Sequence, residues 1–190
     1  GYGVYDIEGN TIKNWYYKGV NTGMNDRDYQ VRLYRGNLKC GGKHEYIELQ
    51  HGADVILANV FNADNEWVVK VYENGTYTGN MTMIPNKKLT PEAGTSQSSP
   101  TKPGTNSSQD WWAIGYHTGV VGRGHKKGST RKNYCVPCHH MYIYTLKNPN
   151  AKVKVVATDD KGRKYTCDYV IENADYSLAA PEQYKTTEVW

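Results

Sequence analysis

Glu66-Trp67-Val68-Val69-Lys70-Val71-Tyr72, then Glu73-Asn74-Gly75-Thr76, then Tyr77-Thr78-Gly79-Asn80-Met81-Thr82 is the stretch that decides the fold class of this 190-residue chain. Branched and aromatic residues on both sides form strands because they pack well on a pleated surface. Asn-Gly between them tolerates the positive φ that a tight hairpin turn of matching twist demands. The reading is a β-hairpin.

Working outward, the same grammar recurs. Upstream, Tyr2 to Ile7 and Thr11 to Tyr17 flank Glu8-Gly9-Asn10, a second hairpin. Gly19 to Asp28 has little that could fill a core and reads as a connector. Tyr29-Gln30-Val31-Arg32-Leu33-Tyr34 alternates apolar and polar side chains, the pattern of a strand with one wet face. Strand-like runs follow at Glu45 to Leu49 and Val55 to Val60, the second more continuously apolar and therefore read as central.

Downstream, residues 87–109 are rich in Pro, Ser, Thr, Gly and Asn, with almost nothing to bury against the entropy of ordering. They read as a long disordered or mobile loop. Beyond them, Trp111 to Val121 and Met141 to Leu146 read as strands bracketing a Gly- and Lys-rich excursion. A last pair, Ala151 to Thr158 and Arg163 to Val170, surrounds the turn Asp159-Asp160-Lys161-Gly162. No segment sustains a helical period. The expected fold is all-β, an antiparallel β-sandwich with a preceding hairpin.

Composition narrows the function classes. Seventeen Tyr and five Trp against a single Phe favour half-buried strands and contact surfaces, where a ring packs while its polar tip stays wet. The net charge of +4 is small, and the one basic stretch, Arg123 to Lys132, carries Gly and Ser rather than stacking aromatics. Nucleic acid is not an expected partner. No apolar run approaches the roughly 20 residues that cross a bilayer, so no membrane span is expected. The chain opens at Gly1, inside an apparent strand and without Met, which reads as a processed or truncated product.

Cys135-Val136-Pro137-Cys138-His139-His140 is the stretch richest in chemistry. As C-x-x-C-H it matches a haem attachment pattern, but the β pattern around it offers no haem pocket. As half a zinc site, Cys135, Cys138 and His139 or His140 would need Cys40, His117, His125 or Cys167 to complete a tetrahedron. Disulfides, Cys135 with Cys138 and Cys40 with Cys167, or plain thiols are the other readings. His117, His125, His139 and His140 fall in one excursion, which marks a candidate polar pocket or metal site. Trp111, Trp112 and Tyr116 are candidates for stacking on a glycan or cell-surface ligand. Adjacent strand residues point opposite ways, so one of the two Trp belongs to the core.

Several stretches together resemble a known family: Gly3-Val4-Tyr5-Asp6 with Trp15-Tyr16-Tyr17-Lys18, Asp28 to Tyr34, Leu57-Ala58-Asn59-Val60-Phe61-Asn62-Ala63-Asp64, and Trp67 to Gly79. Ser108-Gln109-Asp110-Trp111-Trp112-Ala113-Ile114-Gly115-Tyr116-His117 and Cys138-His139-His140-Met141-Tyr142 extend the likeness. The chain resembles the C-terminal domain of calcineurin-like phosphoesterases of the Bacteroides type. The resemblance implies a parent hydrolase whose separate catalytic domain binds two divalent metal ions that activate water for phosphoester cleavage. It also implies an extracytoplasmic bacterial location, periplasmic or outer-surface.

The catalytic motifs of that family, D-x-H, G-D, G-N-H-[DE] and G-H-x-H, are all incomplete here. Gly-Asn occurs at Gly9, Gly36 and Gly79 without the following His, and Gly124-His125-Lys126-Lys127 has Lys where the second His belongs. The expectation is a non-catalytic accessory domain that packs against the catalytic domain of the same polypeptide and shapes substrate access. By this reading residues 1–28 are the last hairpin of the catalytic domain plus a connector, and residues 29–190 form the accessory sandwich, interrupted at 87–109. A glycan- or surface-binding module and a metal-stabilised structural domain are the alternatives.

Overall fold

The structure, a computed structural model, describes residues 2–18, 29–42, 45–48, 51–84, 110, 112–113, 138 and 140–172. The connector after residue 18 and the segment 87–109 lie outside the described residues. Thirteen strands lie within them: β1 (Tyr2–Glu8), β2 (Thr11–Lys18), β3 (Val31–Arg35), β4 (Lys39–Gly42), β5 (Glu45–Glu48), β6 (Val55–Val60) and β7 (Val68–Glu73). They continue as β8 (Thr76–Asn80), β9 (Thr82–Met83), β10 (Met141–Thr145), β11 (Val153–Thr158), β12 (Lys164–Cys167) and β13 (Val170–Ile171).

The turns form where residues able to hold positive φ occur. Asn74 and Gly75 sit at φ 51° and 84°, and β7 pairs with β8 around them. Gly9 and Gly162 take φ of 58° and 78° in the other two expected turns. Asp159 reinforces the last of these: its Oδ1 accepts from the Lys161 and Arg163 amides, and its Oδ2 pairs with Arg163 Nε.

Two sheets face one another. The larger has the order β13-β3-β6-β10-β9 and the smaller β12-β11-β7-β8, while β1–β2 and β4–β5 stand as separate two-stranded ribbons. Described pairings are antiparallel except β13 on β3, which is parallel. Inward residues of both sheets, among them Val31, Leu33, Ala58 and Val60 against Val69, Val71, Val155 and Ala157, make one shared core. Each such Val or Leu side chain contributes about 1.5–3 kcal/mol on leaving water, and each Ala less than about 1 kcal/mol. The smaller sheet alternates buried and exposed residues along β7 and β12, as a sheet with one wet face must.

Strand β6 is buried on both faces from Ile56 to Val60, in keeping with a run that is apolar except at Asn59. Its second face belongs to a smaller cluster of Tyr34, Leu38, Leu57, Ile84, Trp112, Met141 and Ile171. This corrects the reading of β3 as a half-wet strand. Gln30 is 3% exposed because the first hairpin lies on it through Tyr17, and Tyr34 is wholly buried because chain from beyond residue 109 covers the outer face of the larger sheet.

Two further corrections follow. Trp112 and Ala113 take helical backbone rather than strand, with the Asp110 carboxylate accepting the Ala113 amide at 3.0 Å as an N-cap. The final run also breaks at Asp168-Tyr169, so that β12 and β13 join different sheets.

The first hairpin packs on this sandwich. Trp15 meets Trp67 edge-on at 6.2 Å, and Trp67 stacks on Tyr165 at 5.5 Å. The Tyr165 hydroxyl donates to the Trp15 carbonyl. The buried Gln30 amide holds the Tyr17 backbone from both sides, accepting its N–H at 2.8 Å and donating to its carbonyl at 2.9 Å.

Candidate functional site

The densest polar constellation lies on the outer face of the larger sheet. Pleat parity sends Val31 and Leu33 inward and Arg32 and Tyr34 outward, while on β6 it sends Leu57 and Asn59 outward. Register then aligns Arg32, Asn59 and Met141 across three neighbouring strands. Asp110 comes down over them from a distant part of the chain.

Asp110 Oδ2 accepts from Arg32 Nη1 at 3.2 Å and from Asn59 Nδ2 at 2.5 Å, leaving Oδ1 for the N-cap. The Arg32 guanidinium lies 4.2 Å from the Trp112 ring centroid and 5.4 Å from that of Phe61, a cation between two π faces. Burial disfavours the Arg32 charge, and the Asp110 carboxylate together with the Tyr29 and Tyr34 hydroxyls outweighs that cost. Arg32 Nε has no hydrogen-bond partner among the described residues.

The relay continues through Asn59, whose Oδ1 stands 2.7 Å from His140 Nδ1. An amide oxygen only accepts, so Nδ1 carries the proton and Nε2 is left as an acceptor. Cys138 Sγ lies 3.2 Å from both ring nitrogens, over the imidazole. Cysteine, histidine and asparagine thus meet in the combination found at thiol nucleophiles. Burial, however, pushes the Cys138 thiol up to about 11, so the sulfur stays protonated at neutral pH. The arrangement anchors chain to the sheet.

Of the residues singled out from sequence, Cys138 and His140 are brought together here. Trp112 is 3% exposed, with its ring turned to Arg32 rather than to solvent, so it is the core member of the Trp pair. Trp111, Tyr116, His117, His125, Cys135 and His139 lie outside the described residues. Among the described residues, no group of three or more His, Cys, Asp or Glu side chains gathers as metal ligands. No helix among them is long and apolar enough to cross a membrane.

Sequence reasoning passed over Arg32, Asn59 and Asp110. The available signal was Asn59, a lone polar residue in the apolar run Val55 to Val60, which must find a partner when buried.

Comparison with curated proteins and with solved structures finds no match for this chain. A family model described as the C terminal of calcineurin-like phosphoesterase matches residues 1–165, taking in the first hairpin and every strand through β11. On that match, which spans most of its length, the chain belongs to the family of C-terminal domains of calcineurin-like phosphoesterases.

Proposed function

We propose that this domain is a non-catalytic accessory unit of an exported phosphoesterase, packing against the catalytic domain and shaping access of substrate to it. The observation that carries the reading is the turn end of the first hairpin. Ile7 and Ile12, a cross-strand pair, are 68% and 51% exposed. Two branched aliphatic side chains side by side in water are an unfilled contact, and burying them against a second domain recovers their transfer free energy.

The protonated Cys138 thiol supports a non-catalytic role, as does the incompleteness of all four metal-binding motifs. Divalent metal chemistry then belongs to the catalytic domain, and this domain contributes shape and surface. Export is supported by the family resemblance, and cell fractionation of the full-length protein tests it.

The decisive assay adds manganese, zinc or magnesium to the 190-residue chain with a generic phosphomonoester. Sustained turnover would sink the proposal. In the full-length enzyme, replacing Ile7 and Ile12 by Ser is expected to raise amide exchange in β1–β2 and to alter KM for bulky phosphoesters. Unchanged exchange would remove the hairpin from the domain contact.

A further inference from the structure

We infer that the cleft at the open end of the first hairpin binds a neutral sugar ring. Gly3, Tyr5, Trp15, Tyr17 and Asn62 line a recess of ≈ 320 Å³. Binding clefts for small ligands begin at about that size.

Register places Tyr5 opposite Trp15 and Gly3 opposite Tyr17. The Tyr5 and Trp15 rings stack, with centroids 6.3 Å apart and planes 20° from parallel. Tyr5 lies back across Gly3, where a Cβ would stand only 3.1 Å from Tyr5 Cε2 and 3.2 Å from its hydroxyl. The absence of a side chain at Gly3 therefore lets the Tyr5 ring lie along the strand. Tyr5 is nonetheless 55% exposed and Tyr17 39% exposed.

An aromatic cleft on a two-stranded ribbon would ordinarily be loose, yet this one is held from behind. Trp15 is packed on Trp67, Trp67 on Tyr165, and Tyr165 is hydrogen-bonded back to the Trp15 carbonyl. Gln30 spends both ends of a buried amide on the Tyr17 backbone. The opposite wall is Asn62, exposed, with its backbone in the left-handed region at φ 60°.

The lining selects the chemistry. None of the five residues carries a charge, so an ionic ligand would be desolvated without a counter-charge. Two tyrosine hydroxyls and one carboxamide surround the rings, and each group can both donate and accept. A pyranose matches that pattern, with an apolar C–H face for the rings and hydroxyls that both donate and accept. The Ile7–Ile12 pair lies two residues along β1 from Tyr5 and four from Gly3, about 7 Å from the near edge of the cleft and about 13 Å from its far edge. A domain seated on the turn end leaves the Gly3 end of the cleft open.

The chain is screened on an array of neutral hexose and N-acetylhexosamine oligosaccharides, and the strongest binder is titrated by calorimetry against wild type, Tyr5→Ala and Asn62→Gly. Both positions are exposed, and glycine accepts the backbone angle of Asn62, so melting temperatures close to wild type are the check on folding. Tyr5→Ala is expected to raise Kd by about tenfold, and Asn62→Gly by a smaller factor. An array without a binder, or a binder indifferent to both substitutions, overturns the inference. So does protection of Tyr5 from hydroxyl-radical labelling in the full-length enzyme, which would make the cleft part of the domain contact.

Discussion

Removing the Asp110 carboxylate, by Asp110→Ala, tests whether the outer face of the larger sheet is a true interior. The substitution strips Arg32 of its counter-ion, leaves the Asn59 amide without its acceptor, and uncaps the turn at Trp112-Ala113. The side chains of Arg32 and Asp110 are 18% and 8% exposed, so solvent screens the pair little. Breaking a buried pair from one side costs about 3–5 kcal/mol, and the lost cap about 1 kcal/mol within that total. For a domain of this size the melting temperature should fall by about 6–20 °C.

Urea denaturation followed by tryptophan fluorescence measures the loss, with Trp112 beside the lesion. The double variant Arg32→Met with Asp110→Leu should cost far less than Asp110→Ala, because no buried charge is left alone. A loss below about 1 kcal/mol for Asp110→Ala, typical of an exposed pair, would refute the reasoning. The outer face would then be wet, as the sequence alone suggested.

Glu73 carries a pH prediction. Burial alone would lift its carboxyl, but hydrogen bonds from the Lys147 and Asn148 amides, at 3.0 and 2.7 Å, outweigh that and hold it below its ordinary 4.5. A depressed folded value means the unfolded chain takes up the proton first as pH falls, so this stabilisation is complete above 4.5 and lost as pH drops through the folded value. Urea midpoints at pH 7 and pH 3 should converge in Glu73→Gln relative to wild type, and an equal pH dependence in both would count against it. Gln30→Ala should release the first hairpin, seen as faster exchange of the Tyr17 amide with the core amides of β6 unchanged. Cys138 should react slowly with iodoacetamide at pH 8, with a rate still rising towards pH 11, and elemental analysis should find no stoichiometric zinc, since burial keeps the Cys138 sulfur as a thiol rather than the thiolate that a metal needs. One zinc per chain, with a chelator lowering the melting temperature, would replace the thiol–imidazole pair by a metal site.

Sequence by itself determined the hairpins, the strand class and the family. Asn74-Gly75, Gly9 and Gly162 are local instructions, since positive φ is a property of the residue and a turn needs only its own neighbours. The apolar run of β6, interrupted only by Asn59, likewise announced a central strand. Tertiary structure decided which polar residues are buried. The alternation of Gln30, Arg32 and Tyr34 says that two faces differ, not that one of them is wet; the first hairpin settles it for Gln30, and the arrival of Asp110 and Trp112 from 78 and more residues away settles it for Arg32. The parting of β12 and β13 into different sheets is of the same kind. A period of two is written along a strand, whereas what covers each face is set by chain distant in sequence, because the free energy of burial depends on the partner as well as on the residue.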